Sequence, residues 1–236
     1  MGDSARVRVA FASTGVANLA SIEAVFRRAG AEPFVAGSPD ELAAAAFAVV
    51  PGVGSFGSAI AALRAAGMDA AVQDRITRKV PTMGVCAGMQ VFFEASEESP
   101  GASGLGLLPG TFRRFGSGLP VPQLGWNMVD PGERSSTADI QDTLIRAERS
   151  SAAGKPNGTQ GLVRRGWAYY ANSYRLSEAP AGPLASWSVY GEAFVAALER
   201  PGLLLCQFHP ELSGPWGLGL IRAWLEEGEA REGASL

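Results

Sequence analysis

The sequence predicts an α/β fold: a single domain whose mostly parallel central sheet is flanked by helices and carries an added antiparallel region. In the first half, short apolar runs alternate with amphipathic segments, which is typical of strand–helix–strand units. In the second half, strand candidates follow one another without long helices between them. The 236 residues contain no evident repeat or linker, so we expect one domain over residues 1–236, with a core at about 7–226.

The first strand and helix illustrate both patterns. Residues 7–12 form an apolar run that predicts a buried strand. A helix is predicted over 18–29, with Asn18 as its N-cap and Gly30 as its C-terminal stop. Apolar residues recur on one face of this helix, at Leu19, Ile22, Val25 and Phe26.

Further strand–helix units complete the first half. Ser38-Pro39-Asp40-Glu41 matches a capping box with proline at the first helical position. The other predicted elements are strands at 32–36, 47–50 and 80–85 and helices at 58–66 and 69–78. The strand at 47–50 ends at Pro51, and the strand at 80–85 leads into Cys86.

The second half begins with a glycine-rich loop at 100–110 and contains mostly short strands. Those strands are predicted at 111–115, 123–129, 167–171, 184–189, 194–199 and 203–208. A closing helix is predicted over 218–226, with a frayed tail from Gly228. The polar stretch 135–161 is predicted to be a surface excursion.

Composition excludes several classes of protein. A net charge of −3 gives no basic footprint for nucleic acid. No apolar run approaches the roughly 20 residues that span a bilayer, and no signal-peptide pattern is present. Two cysteines do not make a disulfide scaffold. We therefore expect a cytoplasmic protein in a reducing compartment.

One cysteine lies in a glycine frame directly after a predicted strand. Gly84-Val85-Cys86-Ala87-Gly88 matches a nucleophile elbow, with cysteine where hydrolases carry serine. Such a turn holds the sulfur at a helix N-terminus, where the dipole and free amides favour the thiolate. The alternative is a buried structural cysteine. Cys206, inside an apolar run, is predicted to be a core thiol.

His209 is the only histidine, so a multi-histidine metal site is excluded and any imidazole base must be His209. Pro210 disfavours helix at the residue before it, so an extended segment is expected. Residues two apart on an extended chain point the same way, which predicts Glu211 beside the ring. A lone histidine is often only structural. Its carboxylate neighbour and the distant cysteine elbow favour a Cys86–His209–Glu211 triad.

A second glycine-rich turn, Pro51-Gly52-Val53-Gly54-Ser55-Phe56-Gly57, follows the third strand. In an open sheet this strand often neighbours the elbow strand. Backbone N–H groups of such a turn can face a developing oxyanion. A plain strand-to-helix turn is the alternative.

These segments resemble the triad class (class I) of glutamine amidotransferases, and among them the glutaminase subunit of imidazole glycerol phosphate synthase. The similarity runs from Val7 to about Trp224. The elbow and the His-x-Glu pair specify only the wider class. The Pro-Gly-Val-Gly loop and Pro122-Gln123-Leu124-Gly125-Trp126-Asn127 indicate this subunit, and glutaminases of the pyridoxal phosphate pathway resemble those two segments less.

The resemblance implies a reaction and a set of residues. Cys86 would attack the side-chain amide of L-glutamine, and His209, oriented by Glu211, would protonate the departing ammonia and then activate water. The oxyanion would be held by the Ala87 amide and the Gly52–Val53 loop. Substrate-binding residues would be Gln90, Asn172, Ser173 and Tyr174.

The resemblance also implies a partner. A barrel-shaped cyclase (synthase) subunit would form a heterodimer with this chain and receive its ammonia in histidine biosynthesis. The Pro-Gly-Val-Gly loop would rearrange when that partner is loaded, so glutaminase activity alone should be low. Neither a metal nor an organic cofactor is expected.

Three positions depart from the family pattern. Ser13-Thr14-Gly15 stands where Asp-Tyr-Gly is usual, Asn172 where histidine is usual, and Leu212 where lysine is common. The first and last bear on partner contacts, and Asn172 carries no charge. None of them touches the triad.

Three other functions remain open from sequence. A paralogous glutaminase could supply ammonia to another synthase, in an amino-sugar or pyridoxal phosphate pathway. A stand-alone cysteine hydrolase would turn over without a partner. A silent binding subunit has no physical need for an intact Cys86, His209 and Glu211.

Overall fold

Four apolar runs form the centre of a seven-stranded sheet. The computed structural model describes residues 6–13, 19–52, 54–131 and 161–233. The central strands are β1 (Arg8–Phe11), β3 (Phe47–Val50), β4 (Thr82–Val85) and β12 (Leu203–Cys206). Nearly all of their residues are buried, as expected for parallel strands covered on both faces.

The strand order is β10-β11-β12-β4-β3-β1-β2, with β2 at Glu32–Val35, β10 at Leu184–Tyr190 and β11 at Glu192–Arg200. The five strands from β12 to β2 run parallel, and β11 and β10 add an antiparallel edge. The predicted mostly parallel sheet with an antiparallel addition is confirmed. The expected neighbours β3 and β4 pair, with Val50 opposite Gly84.

Helices cover both faces of this sheet. They are α1 (Leu19–Ala29), α2 (Pro39–Ala44), α3 (Phe56–Ala65), α4 (Met68–Arg78), α5 (Ala87–Gln90) and α6 (Gly214–Gly233). Side chains of β1 alternate between two cores because successive strand residues point to opposite faces. Ala10 packs with α2, α3 and α4, whereas Phe11 packs with α1 and α6. No helix in the described ranges is long and apolar enough to cross a membrane.

Smaller sheets complete the antiparallel region. β5 (Ala95–Ser96) and β9 (Tyr174–Arg175) flank β6 (Thr111–Arg114), and β7 (Gln123–Val129) pairs with β8 (Gly166–Asn172). A bridge between Tyr169 and His209 joins the β7–β8 pair to the end of β12. This bridge brings the second half of the chain to the edge where β4 ends.

Several local predictions are confirmed. The strands at Phe47–Val50 and Gln123–Val129 have the predicted bounds. Ser38 caps α2, since its Oγ accepts from the Glu41 amide at 3.2 Å. Helix α3 begins two residues earlier than predicted, because Ser55 is its N-cap. Asn18 and residues 132–160, most of the predicted excursion, lie outside the described residues.

The prediction for the closing helix is wrong at both ends. Helix α6 spans Gly214–Gly233 rather than 218–226, and Gly228 is not part of a frayed tail. A Cβ on Gly228 would lie 2.3 Å from Phe47 Cε1, so the backbone there packs closely on the core. A Cβ on Gly217 would lie 2.0 Å from the Pro210 carbonyl oxygen, so the backbone at Gly217 is equally crowded. Glycines that suggest helix ends in sequence here permit close packing.

Candidate active site

Cys86 lies at a sharp turn between β4 and α5. Its φ of 54° and ψ of −116° are strained for a residue with a side chain. The Cys86 amide donates to the Cys206 carbonyl at 2.7 Å, and the Cys86 carbonyl accepts from Met89 at 2.9 Å. The predicted sharp strand-to-helix turn with Cys86 at its bend is therefore present at the C-terminal edge of the sheet.

The glycines that frame Cys86 are required by close backbone packing. A Cβ on Gly84 would lie 2.7 Å from the Gly88 carbonyl oxygen, and one on Gly88 would lie 2.0 Å from the Val50 carbonyl oxygen. Real Cβ atoms essentially never approach so closely. The small residues in the Gly-x-Cys-x-Gly motif thus let β3, β4 and α5 meet behind the cysteine.

The glycine-rich turn after β3 packs against the same elbow. A Cβ on Gly52 would lie 1.9 Å from the Gly88 nitrogen, so Gly52 lies against the first turn of α5. Ala87 is the first residue of α5, and its amide has no acceptor within that helix. Gly52 and Ala87 are therefore brought together as predicted for an oxyanion hole. Val53, the third predicted member, lies outside the described residues.

The far side of this turn is fixed at the start of α3. Glu98 accepts from the Phe56 amide at 2.6 Å, and Ser99 Oγ accepts from the Gly57 amide at 2.9 Å. These contacts satisfy amides that a helix start leaves without partners. Sequence did not indicate Glu98 or Ser99, because both lie about 42 residues away.

His209 and Glu211 are in direct contact. His209 Nδ1 and Glu211 Oε1 are 2.9 Å apart, and both side chains are about nine-tenths buried. The contact was predicted, but its predicted geometry is wrong. His209 is extended, whereas Pro210–Leu212 form a 3₁₀ turn rather than continuing the strand. Proline is tolerated at the start of such a turn, and the turn places Glu211 against the ring.

Two residues missed from sequence hold His209 in place. The His209 amide donates to the Tyr169 carbonyl at 2.8 Å. Ser213 Oγ donates to the His209 carbonyl at 2.6 Å and accepts from the Tyr169 amide at 3.0 Å. Ser213 lies four residues after His209. The 3₁₀ turn between them, which was not predicted, brings the Ser213 hydroxyl to the His209 carbonyl.

The ring of His209 connects Cys86 to Glu211. Burial lowers the pKa of His209, but hydrogen bonds to Cys86 and Glu211, together with their charges, outweigh it and raise the pKa to about 10. Both neighbours therefore favour the protonated form of the ring. Residues 86, 209 and 211, separated in sequence, form one contiguous group.

The predicted substrate-binding residues divide into two sets. Gln90, at the end of α5, donates to Gln207, which in turn contacts Cys86. Asn172 Nδ2 donates to the Tyr174 carbonyl at 3.0 Å, and the Ser173 carbonyl accepts from Phe115. Within the described ranges, no hydrogen bond joins the second set to the triad. Asn172 Oδ1 is buried without a hydrogen-bond partner there, which leaves it free to accept one.

Comparison with known proteins gives a consistent family. Residues 35–225 match the family model described as glutamine amidotransferase class-I. The chain is 36% identical over 92% of its length to the imidazole glycerol phosphate synthase subunit HisH of Herpetosiphon aurantiacus, covering 93% of that protein. It is 36% identical over 97% of its length to HisH of Gloeobacter violaceus, again covering 93% of the relative.

Solved structures with the same fold are more distant in sequence. A glutamine amidotransferase crystal structure superposes with a TM-score of 0.66 at 16% identity, covering 94% of this chain and 98% of that one. PurLQS from Thermotoga maritima gives a TM-score of 0.66 at 15% identity, covering 94% and 99%. At these identities the likeness concerns the fold alone.

Proposed function

The chain belongs to the class-I glutamine amidotransferase family, and from this premise we propose that it is the glutaminase subunit of an imidazole glycerol phosphate synthase. It hydrolyses L-glutamine to glutamate and ammonia through a thioester on Cys86. The observation that carries this proposal is the His209 ring held between the Cys86 sulfur and the Glu211 carboxylate. Neither a metal nor an organic cofactor takes part.

The first half-reaction forms the thioester on Cys86. The Cys86 thiolate attacks the side-chain carbonyl carbon of glutamine, and the carbonyl oxygen becomes an oxyanion. The Ala87 amide and the Gly52–Val53 loop donate to that oxyanion. The His209 imidazolium then gives its proton to the amide nitrogen. The C–N bond breaks, ammonia leaves, and a glutamyl thioester with a neutral imidazole remains.

The second half-reaction reverses the role of His209. Thioester formation removes the thiolate charge that helped to raise the pKa of the ring, so the neutral imidazole can act as a base. It takes a proton from water while the hydroxide adds to the thioester carbon. The C–S bond breaks, glutamic acid leaves and ionises, and the thiolate–imidazolium pair is restored. Glu211 keeps the ring oriented throughout.

Glutamine is held by two groups of residues. Gln90 binds its head group from α5, and Asn172, Ser173 and Tyr174 bind from the end of β8. The unpartnered Asn172 Oδ1 supports this role, since it can accept from the substrate α-ammonium group without the histidine usual in the family.

An exposed apolar face lies beside the catalytic edge. Leu124, Trp126, Trp167 and Leu212 are 45–67% exposed. Trp126 is opposite Tyr169 across β7 and β8, and the Tyr169 backbone binds His209. Large exposed apolar residues in one area favour a protein partner. We propose that a barrel-shaped cyclase subunit docks on this face as a heterodimer and consumes the ammonia in histidine biosynthesis.

Leu212 fits this arrangement although lysine is common there in the family. It lies in the 3₁₀ turn after His209 and extends the apolar face. We place the whole chain, residues 1–236, in one glutaminase domain. We place it in the cytoplasm, because both cysteines are free and a thiol nucleophile must stay reduced.

The test is an assay of ammonia release by the chain alone, with its cognate cyclase, and with that cyclase plus its nucleotide ligand. We expect a large increase in the last mixture and none with the synthase of an amino-sugar or pyridoxal phosphate pathway. Equal turnover in all mixtures would favour a stand-alone hydrolase. Stimulation by another synthase only would favour a paralogous glutaminase.

A further inference from the structure

The Cys86 sulfur has a second polar neighbour besides His209. Gln207 Nε2 lies 3.8 Å from Cys86 Sγ, within the reach of a hydrogen bond to sulfur. Gln207 is completely buried, so its amide cannot turn to water instead. The backbone of Gln207 is held separately, since its amide donates to the Ala196 carbonyl at 2.9 Å. The side-chain amide is therefore available to donate a hydrogen bond to the Cys86 sulfur.

The orientation of this side chain is fixed by a third residue. Gln90 Nε2 donates to Gln207 Oε1 at 3.1 Å, which leaves the amino end of Gln207 facing Cys86. A thiolate can only accept hydrogen bonds, so the amino end is the one that fits. Gln90 is also joined to Cys86 through the backbone, because its amide donates to the Cys86 carbonyl at 3.2 Å. The three residues thus close a ring of contacts.

We propose that Gln207 is a positioning residue that orients the Cys86 sulfur for attack and couples it to the glutamine-binding residue Gln90. This rests on the proposed function of Cys86 as the nucleophile. A buried charge depends on the few donors that reach it, so one oriented N–H has a measurable effect on the thiolate. Because Gln90 contacts both Gln207 and the substrate, binding of glutamine and alignment of the sulfur are linked through one amide.

The experiment measures alkylation of Cys86 by iodoacetamide in the intact chain between pH 5 and 10, with the labelled residue identified by mass spectrometry. Gln207→Leu removes the donor. We expect the pH of half-maximal alkylation to rise by about one unit and the rate at pH values below that midpoint to fall about ten-fold. Gln207→Glu keeps the shape of the side chain but places a carboxylate next to the sulfur. The alkylation rate should therefore fall at least as much as in Gln207→Leu.

A matched control separates this effect from a general one. Gln73→Leu makes the same change at an exposed position on α4 and should leave the profile unchanged. Gln90→Leu tests the coupling. If Gln90 only binds glutamine, Gln90→Leu should leave alkylation by a small reagent unchanged. If Gln90 orients Gln207 as proposed, Gln90→Leu should slow alkylation, but by less than Gln207→Leu does.

Unchanged alkylation profiles in both Gln207 variants, with thermal stability retained in either one, would overturn the proposal. The result does not depend on the folding of the leucine variant, because the glutamate variant has nearly the same shape. Failure of the proposed function is a separate outcome. It would appear as wild-type ammonia release from Cys86→Ala, whatever Gln207 does.

Discussion

The two ends of the central sheet both bury ionisable groups, but they use them differently. At the C-terminal end of β4 and β12, His209 is paired with Cys86 and Glu211, and the pKa of its ring is raised to about 10. At the opposite end, burial raises the pKa of Glu199, whose carboxylate accepts hydrogen bonds from the backbone amides of Leu162 and Val163. Burial of an ionisable group alone therefore does not indicate a catalytic role; the side chains that contact the group are more informative.

The position of the cavity also does not coincide with the candidate active site. A cavity of about 430 Å³ lies at the N-terminal end of the sheet, lined by residues that include Pro81, Glu199, Leu203 and Trp224. Cys86 and His209 are at the other end, where β3, β4 and α5 pack without room for a methyl group. The comparison predicts that changes at the C-terminal end reduce turnover, whereas changes at the N-terminal end reduce stability.

The largest effect is expected from Cys86→Ala. Loss of the nucleophile should reduce partner-stimulated ammonia release by at least about 10⁴-fold, as for other triad nucleophiles. The matched control is Cys206→Ala, one strand away and completely buried. It should retain turnover and lose about 1 kcal/mol of unfolding free energy. Similar turnover losses in both variants would contradict the assignment.

Glu211→Gln should have the next largest effect. Losing the carboxylate removes part of what raises the pKa of His209, so that pKa should fall toward the ordinary 6.5. We expect the alkaline limit of kcat/KM to move to lower pH and turnover to fall about 100-fold. Glu199→Gln, the same change at the other end of the sheet, should leave turnover unaltered.

Arg75→Met tests the N-terminal end directly. The guanidinium of Arg75 is completely buried and donates to the carbonyls of Leu42 and Pro81 and to Thr82 Oγ1. Removing it should lower the unfolding free energy by about 3 kcal/mol in urea titrations. Turnover of the folded fraction should persist. Arg27→Met, in an exposed pair, should cost less than about 0.5 kcal/mol.

The smallest effect concerns the pH dependence of stability. Because the pKa of Glu199 is raised in the folded chain, its contribution is complete below the ordinary value of 4.5 and is lost as pH rises through the folded pKa. Glu199→Gln should remove this decline. Urea unfolding of both chains at several pH values above 4.5 measures it, and parallel curves would show that Glu199 has no part in it.

Local patterns predicted most of the fold and the strand-to-helix turn at Cys86. The buried run at Phe47–Val50 and the glycine frame of Cys86 depend on neighbours in sequence, and both were predicted with their correct bounds. The prediction made helix α6 too short because Gly217 and Gly228 suggest helix ends. In the structure these two glycines instead allow close packing against the Pro210 carbonyl and the Phe47 ring.

Long-range contacts could not be predicted in this way. Ser213 and Tyr169 contact His209 through a 3₁₀ turn and a strand bridge that no short segment encodes. Gln207 contacts Cys86 across 121 positions of the sequence. Gln207 did carry a signal, since it lies two residues before His209 and alternate residues of an extended segment share a face. That signal indicates proximity to the site but not a contact with sulfur.

The most direct test of the Cys86–His209 pair uses the fact that the chain has one histidine. In the untagged protein, the imidazole nitrogen resonances report His209 alone and can be followed by NMR from pH 5 to 11. We expect the pKa to be about 10 in the wild type and to fall clearly in Cys86→Ala. Titration near the ordinary value of 6.5 in both chains would contradict the pairing.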